Sequence, residues 1–456
     1  MRVAVSLLLA CAAGFAARPS RAQETPAKDV TAFVAVNVVP MDRERVLRDR
    51  TVLVEDGRIV AIGRKVAVPK GARIVDGAGR AFLSPGLADM HMHADTAEAL
   101  KVYLANGVTS VLNMGGASPE FVAQLRPAVN AGKRPGPHVY VAFIVDGSPR
   151  YGHFFVTTPE EARWAVRLAK TNGYDFIKVY NDLSPACFQA LVDEGRAQHL
   201  PVVGHGVRSV GLERQLDAGQ LMVAHAEEFL YTVFKTAPDA PPGSAPDPAQ
   251  IPGAIAFVLR DRAFVTADLN TYATIARQWG RPDVVDAILH GPELRYVGPA
   301  NRIYWKHSDY QKRSGSLDAT TAFLARFVKA MSDAGVPLIT GTDAPTIPGL
   351  APGFALHDDL DALQRAGLTR YQVLAAATRT PGAMIRRAQP DAAPFGTVAV
   401  GSRADLVLSA GNPLADLATL RQPLGVMANG RWYARADLQA LLDDVATTYA
   451  AAAAPR

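Results

Sequence analysis

The chain has 456 residues, 49% of them apolar and 20% charged, and a formal net charge of +5. That is enough for one large core with a smaller domain beside it, and the composition is that of a globular enzyme rather than a disordered or fibrous protein. Removing the first 22 residues deletes Arg2, Arg18 and Arg21 and no acid, lowering +5 to +2. With no Lys/Arg run besides, a nucleic-acid surface is excluded.

Residues 1–22 read as a secretory signal: Arg2, an apolar run from Val3 to Ala17, and a small-x-small cleavage site at Ser20-Arg21-Ala22 before Gln23. The run is too short to span a bilayer, so no transmembrane segment is expected. Leu8-Leu9-Ala10-Cys11 offers a lipoprotein box as the alternative, weakened by a ten-residue leader and by the bulk of Leu9. The expected location is therefore periplasmic or secreted, ahead of a lipid anchor at Cys11. Loss of Cys11 with the signal leaves Cys187 alone, so no internal disulfide forms and the core must hold the fold. Cys187, after Ser184-Pro185 at a helix start, reads as packing.

From residue 23 to 84 the pattern is β. Thr31 to Val39 is one strand, and Thr51 to Gly63 is two strands around Asp56-Gly57, a strong hairpin signal. Arg73 to Asp76 and Ala81 to Leu83 add short strands. From about 85 to 384, strand, loop and helix repeat. Candidate strands are 87–93, 108–114, 138–145, 175–181, 200–205, 221–226, 263–269 and 336–343. Helices are expected over Thr96 to Asn106, Pro159 to Thr171, Ser184 to His199 and Thr320 to Ala334. Eight strands alternating with helices predict an α/β fold, a (β/α)8 TIM-like barrel. Residues 235–262 and 273–318, rich in Pro and Gly, read as loops and short helices over its mouth. After Gly396 β-pattern returns, and a helix near 436–450 follows. Segments 23–84 and 385–456 are expected to form one small β-sandwich domain from both chain ends.

Barrel enzymes place their chemistry at the C-terminal ends of the strands. Those ends here carry His91 and His93, Lys178, His205, His225 and Asp343. The two histidines of Asp89-Met90-His91-Met92-His93 share a strand face, which makes half of a zinc-type site. Singly, each of His205 and His225 reads as a core histidine. Together with the first pair they read as metal ligands. Lys178 lies in the apolar run Phe176-Ile177-Lys178-Val179-Tyr180. Burying an unpaired ammonium is costly, so a neutralised or modified lysine is expected.

Four histidines, one lysine and one aspartate in this strand order resemble the amidohydrolase superfamily. The likeness is greatest to binuclear members with a carboxylated lysine, of the imidazolonepropionase-like and prolidase-like secreted kind. It rests on Pro-Gly-Leu-x-Asp-x-His-x-His at 85–93, Ile-Lys-Val-Tyr at 177–180 and Gly341-Thr342-Asp343. Ala376 to Pro381 and Gly401 to Val407 match as well. His357-Asp358-Asp359-Leu360 departs from the usual His-x-Glu-Leu, and no catalytic role is assigned there.

The resemblance implies two divalent metal ions, zinc by default with manganese, cobalt or iron open, and N6-carboxylysine at Lys178 as the bridge. His91, His93 and Asp343 would hold one metal, His205 and His225 the other. A metal-bridging hydroxide would attack the substrate, with Asp343 as general base and then acid. For substrate binding, His153, Tyr180 and Tyr231 are candidates, with Asn270 and Tyr272 at the end of the seventh strand. The expected activity is hydrolysis of amide or peptide bonds in small substrates, as a dipeptidase, carboxypeptidase or N-acyl-amino-acid hydrolase. A lactonase, organophosphate-ester or cyclic-amide hydrolase on the same centre is the alternative, and an inactive barrel acting as a binding protein is a third. A small-molecule or dipeptide partner is expected, with a homo-oligomer open.

Overall fold

The computed structural model describes residues 29–453 apart from Pro242; the expected signal and Cys11 lie outside the described residues. The chain begins with β1 (Val30–Val38), β2 (Leu47–Glu55) and β3 (Arg58–Gly63). β2 and β3 form the expected hairpin. Both turn residues, Asp56 and Gly57, take positive φ, 48° and 74°, the backbone that a two-residue turn between twisted strands requires. Two short strands follow, β4 (Arg73–Asp76) and β5 (Phe82–Pro85).

After Gly86 the parallel strands start. They are β6 (Leu87–Met92), β7 (Val108–Asn113), β8 (His138–Asp146), β10 (Phe176–Val179), β11 (Val202–Gly204), β12 (Met222–Val223), β13 (Phe264–Thr266) and β14 (Leu338–Ile339), with a two-residue β9 (Phe154–Phe155) beside β8. They hydrogen-bond in the order 14-13-12-11-10-8-7-6. The ring is closed from β14 back to β6. Met90 N–H donates to Thr340 O (2.9 Å), Thr342 N–H to His91 O (3.0 Å), and Met92 bridges Ala344. All eight expected strands are present, and the barrel is the expected one.

Inside it, Ala88, Met90, Leu112, Tyr140, Phe176, Val203, Met222 and Phe264 form an apolar plug, sealed by Met384, Ile385 and Phe395. The plug fills one end of the barrel and leaves the other to polar groups. A register shift between Asp89 and Met92 lets β6 turn Ala88 and Met90 inward and then His91 and His93 as well, where strict alternation would send one of those pairs outward.

The helices start where capping chemistry predicts. Thr158 and Glu161 form a capping box for Pro159–Thr171, and Thr96 and Ser184 cap Ala97–Ala105 and Pro185–Ala197. Cys187 is fully buried and unpaired. Within 235–262, Ile251–Arg260 is one of the expected short helices, with Pro252 in its first turn, where proline gives up no hydrogen bond. One expectation needs correction. Asn270 and Tyr272 do not end the seventh strand. β13 stops at Thr266, and both residues lie on the helix Leu269–Gln278.

The last strands, β15 (Leu406–Ser409), β16 (Gly425–Ala428) and β17 (Arg431–Ala434), join the first ones, since β15 pairs with β5. The two ends meet in one continuous sheet of eight strands, bulged in β1. It encloses its own core of Phe33, Val52, Ile59, Leu83, Leu406 and Met427. The helix Arg435–Ala453 then packs along Ala97–Ala105. Among the described residues no helix is long and apolar enough to cross a membrane.

Candidate metal centre and active site

The six residues expected at the strand ends converge. His91 Nε2 lies 3.3 Å from His93 Nε2, 3.2 Å from Lys178 Nζ and 3.4 Å from Asp343 Oδ1. His93 Nε2 is 3.0 Å from Asp343 Oδ1. The His225 ring stacks at 4.2 Å from His91 and meets His205 edge-on at 4.9 Å. Two groups have the spacing of metal ligands: His91 with His205 and His225, and His91 with His93 and Asp343.

What holds each ring decides what its other nitrogen can do. His91 Nδ1 donates to Ala224 O (3.0 Å) and His93 Nδ1 to Gly115 O (2.8 Å). His205 Nδ1 sits 2.7 Å from Glu228 Oε1, and His225 Nδ1 bonds Asp268 Oδ2. With Nδ1–H spent on Ala224 O and Asp268, the Nε2 atoms of His91 and His225 are left as lone pairs at the buried centre, whereas His205 Nδ1 lies against Glu228 without a hydrogen bond. Burial, reinforced by the Lys178 charge, holds His91 and His205 well below the usual imidazole range and therefore neutral. Lone pairs aimed at one another repel unless a cation lies between them, and Lys178 Nζ answers only one. This donor set fits a divalent metal site.

Lys178 is 1% exposed. Burial brings its pKa down to about 8, against the Asp343 and Glu228 charges, so a minor neutral, nucleophilic fraction of the amine is present near physiological pH. Gly204 gives the strand room here: a Cβ would lie 2.4 Å from Val179 O and 3.2 Å from Lys178 Cγ. Asp343 is reached through a distortion of the last strand. Thr342 and Asp343 both donate backbone N–H to His91 O, and Asp343 takes φ 58°. Although burial opposes it, the His93 hydrogen bond and nearby positive charge hold the Asp343 carboxyl well below the usual range. Thr346 Oγ1 donates to its Oδ2 at 2.9 Å.

The substrate candidates separate into two places. Tyr180 packs 4.3 Å from the His205 ring and 4.7 Å from His153, a continuous path from the centre to the loop after β8. Burial, then Lys178 and His93, lower His153 to about 4, while burial raises the Tyr180 phenol. Both are uncharged hydrogen-bond donors at neutral pH. Tyr231 stands elsewhere, 53% exposed at the rim, its hydroxyl 3.4 Å from Glu227 Oε1. Asn270 is buried, with its backbone N–H on Asp359.

Glu228 and Asp268 were not read as site residues from the sequence. Each signal is slight: an acid three residues after His225, and a lone acid just past an apolar strand. Asp89 was passed over too. It lies fully buried under the site, accepts from Thr342 Oγ1 (2.6 Å) and is raised by burial to about 7.

The amidohydrolase family matches residues 82–433, and the chain belongs to it. It is accordingly a hydrolase acting on carbon–nitrogen bonds. Dihydroorotase of Geobacter sulfurreducens is 28% identical over 187 residues, 39% of this chain and 38% of that protein, so the match spans well under half of the relative. Ochratoxinase of Aspergillus niger is 22% identical over 90% of this chain and 87% of its own. Among solved structures, a Xaa-Pro dipeptidase with bound methionine in the active site superposes with a TM-score of 0.64 at 17% identity, covering 89% of this chain and all of the other. That likeness establishes a shared fold.

Proposed function

We propose that this amidohydrolase is an exported, binuclear metal enzyme that cleaves the amide bond of small substrates carrying a free carboxylate, such as dipeptides or N-acyl amino acids. The observation that carries it is the convergence of four imidazole rings, one carboxylate and one buried lysine on a single point. His91, His93 and Asp343 would hold one ion and His205 and His225 the other. Lys178, carboxylated by addition of its neutral amine to CO2 with loss of one proton, would join the two. Zinc suits this nitrogen-rich set. When bound, the metals supply Lewis acidity and a water acidified to near neutral pH.

The remaining work falls to the chain. Asp343, ionised and beside the lone-pair cluster, accepts the proton of the attacking water and returns it to the leaving nitrogen. Thr346 keeps that carboxylate in one orientation. His153 and Tyr180, neutral donors on one side of the centre, suit a substrate carboxylate or carbonyl oxygen. The relatives named for dipeptidase and ochratoxinase activity support this reading.

Mass-spectrometric turnover of a mixed panel on the zinc-loaded protein tests it. The panel holds dipeptides including Xaa-Pro, N-acyl amino acids, their C-terminal amides, and lactones. Release of amino acids only from free-carboxylate substrates is expected; turnover of lactones alone would replace the proposal by an esterase-type one. Export rests on residues 1–22. Intact mass of the protein recovered from the periplasm or medium should place the mature start at Gln23, and an uncleaved chain confined to the cytoplasm would refute export.

A further inference from the structure

Asp343 heads a tight loop, and one peptide unit of that loop is held at both ends. The Thr346 N–H donates to Asp343 O (3.0 Å), closing a turn that brings the Thr346 hydroxyl back to the Asp343 carboxylate. The Pro345 carbonyl, coplanar with that N–H, accepts the indole N–H of Trp305 at 2.7 Å. Among the described residues no other hydrogen bond reaches this carbonyl. Trp305 belongs to the helix Pro299–Lys306, in the stretch 281–317 between the helices Leu269–Gln278 and Asp318–Asp333. It is the one buried residue of its helix, while Ile303 and Tyr304 beside it are exposed. Its ring packs in one cluster with Val297 and Ala351. Ile288 of the same stretch reaches the loop too: Gly349 takes φ 92°, and a Cβ there would stand 3.3 Å from Ile288 Cδ1. The stretch thus meets the chain after Asp343 at Pro345, Gly349 and Ala351.

A helix that serves packing alone buries a stripe of side chains. This one commits a single indole, and the polar end of that indole lies two residues from Asp343. We infer that Trp305 is a positioning residue for Asp343: its N–H fixes the Pro345–Thr346 peptide plane, the plane fixes Thr346, and Thr346 fixes the carboxylate. This rests on the proposed role of Asp343 and deepens it. Without the indole the plane is free to rotate, the turn closed by the Thr346 N–H loosens, and the carboxylate leaves its one orientation. His153 and Tyr180 lie on other strand ends and keep their places, so the loss falls on kcat rather than on KM.

Two measurements on Trp305→Phe, which keeps an aromatic ring and deletes the N–H, test this and separate it from the hydrolase reading. The first needs no turnover: hydrogen–deuterium exchange at the Thr342, Asp343, Ala344 and Thr346 amides, all hydrogen-bonded within or beside the loop, with the amides of β7 as reference. Exchange about 5- to 10-fold faster at the loop alone is expected, the worth of one hydrogen bond. Faster exchange at loop and β7 alike, or at neither, would overturn the positioning role. The second is steady-state kinetics per folded molecule on the best substrate of the panel. A kcat lowered about 10-fold, with KM within about twofold of wild type, is expected; an unchanged kcat, or a fall carried by KM, would overturn the role. Faster loop exchange in a protein whose wild type hydrolyses no member of the panel supports the positioning role and sinks the hydrolase reading alone. Should Trp305→Phe fail to fold, β-(3-benzothienyl)alanine at position 305, a ring of the same shape with sulfur in place of the N–H, carries both readouts.

Discussion

The two halves of the candidate centre are built from the same side chain, histidine, but anchored differently. His91 and His93 are oriented by main-chain carbonyls, Ala224 O and Gly115 O, which no side-chain substitution removes. His225 is hydrogen-bonded to the buried Asp268 carboxylate, and His205 lies 2.7 Å from the buried Glu228 carboxylate without a hydrogen bond between them. A carbonyl only fixes the ring. A carboxylate also makes the imidazole more basic and adds a negative charge behind it. The β6 half is thus rigid and of fixed strength, while the half on β11 and β12 can be tuned by two side chains. Lys178 lies between them, and His91 belongs to both candidate ligand groups.

The largest effect should come from removing what the halves share. Lys178→Ala is expected to lose bound metal, measured by plasma mass spectrometry, together with activity, by about 10³-fold or more, since several kcal/mol of charge stabilisation go with the ion. Full activity in that variant would end the bridging role. A smaller change should expose the asymmetry itself. Asp268→Asn is expected to weaken metal retention by about 10- to 100-fold in chelator competition, with the loss confined to one of the two ions. Loss of both together would show that the halves do not differ as described.

The smallest effect at the centre, though not on stability, is expected at Arg403. Its guanidinium donates to Asp405 Oδ2 and Ser110 Oγ, both at 2.6 Å, and so ties the end sheet to β7 of the barrel. Arg403→Ala strands the buried Asp405 carboxylate and should cost about 3–5 kcal/mol in denaturant unfolding. Metal content per folded molecule should not change. If it falls, the end sheet shapes the site as well as supporting it.

What was legible in the sequence follows the same physical line. The eight barrel strands and the six converging residues could be read because an apolar run ending in one polar residue is a local pattern, and here it recurs strand after strand. Helix starts at Thr158 and Ser184 were legible because capping acts over three residues. The anchors were not. Asp268 meets His225 from 43 residues away, and only the packing of β12 beside β13 brings them together. The last strand was read as 336–343, yet its ladder covers Leu338–Ile339. Beyond it the backbone bends to give two N–H groups to His91 O, which brings Asp343 to the centre, and a hydrophobicity pattern carries no trace of that bend. Gly341 permits it, since a Cβ there would lie 2.7 Å from His91 Cβ.

The pairing of β5 with β15 sets an order of events for the chain as it is made. β5 ends at Pro85, two residues before the strand that carries His91 and His93, and its partner lies more than 300 residues later. The first candidate ligands synthesised therefore stand beside a strand edge that stays open until nearly the whole chain has emerged. Contacts so distant in sequence form late, and an exposed edge invites wrong partners in the meantime. A ribosome stalled before residue 406 would present the complete set of six site residues on a barrel whose supporting sheet could not yet form.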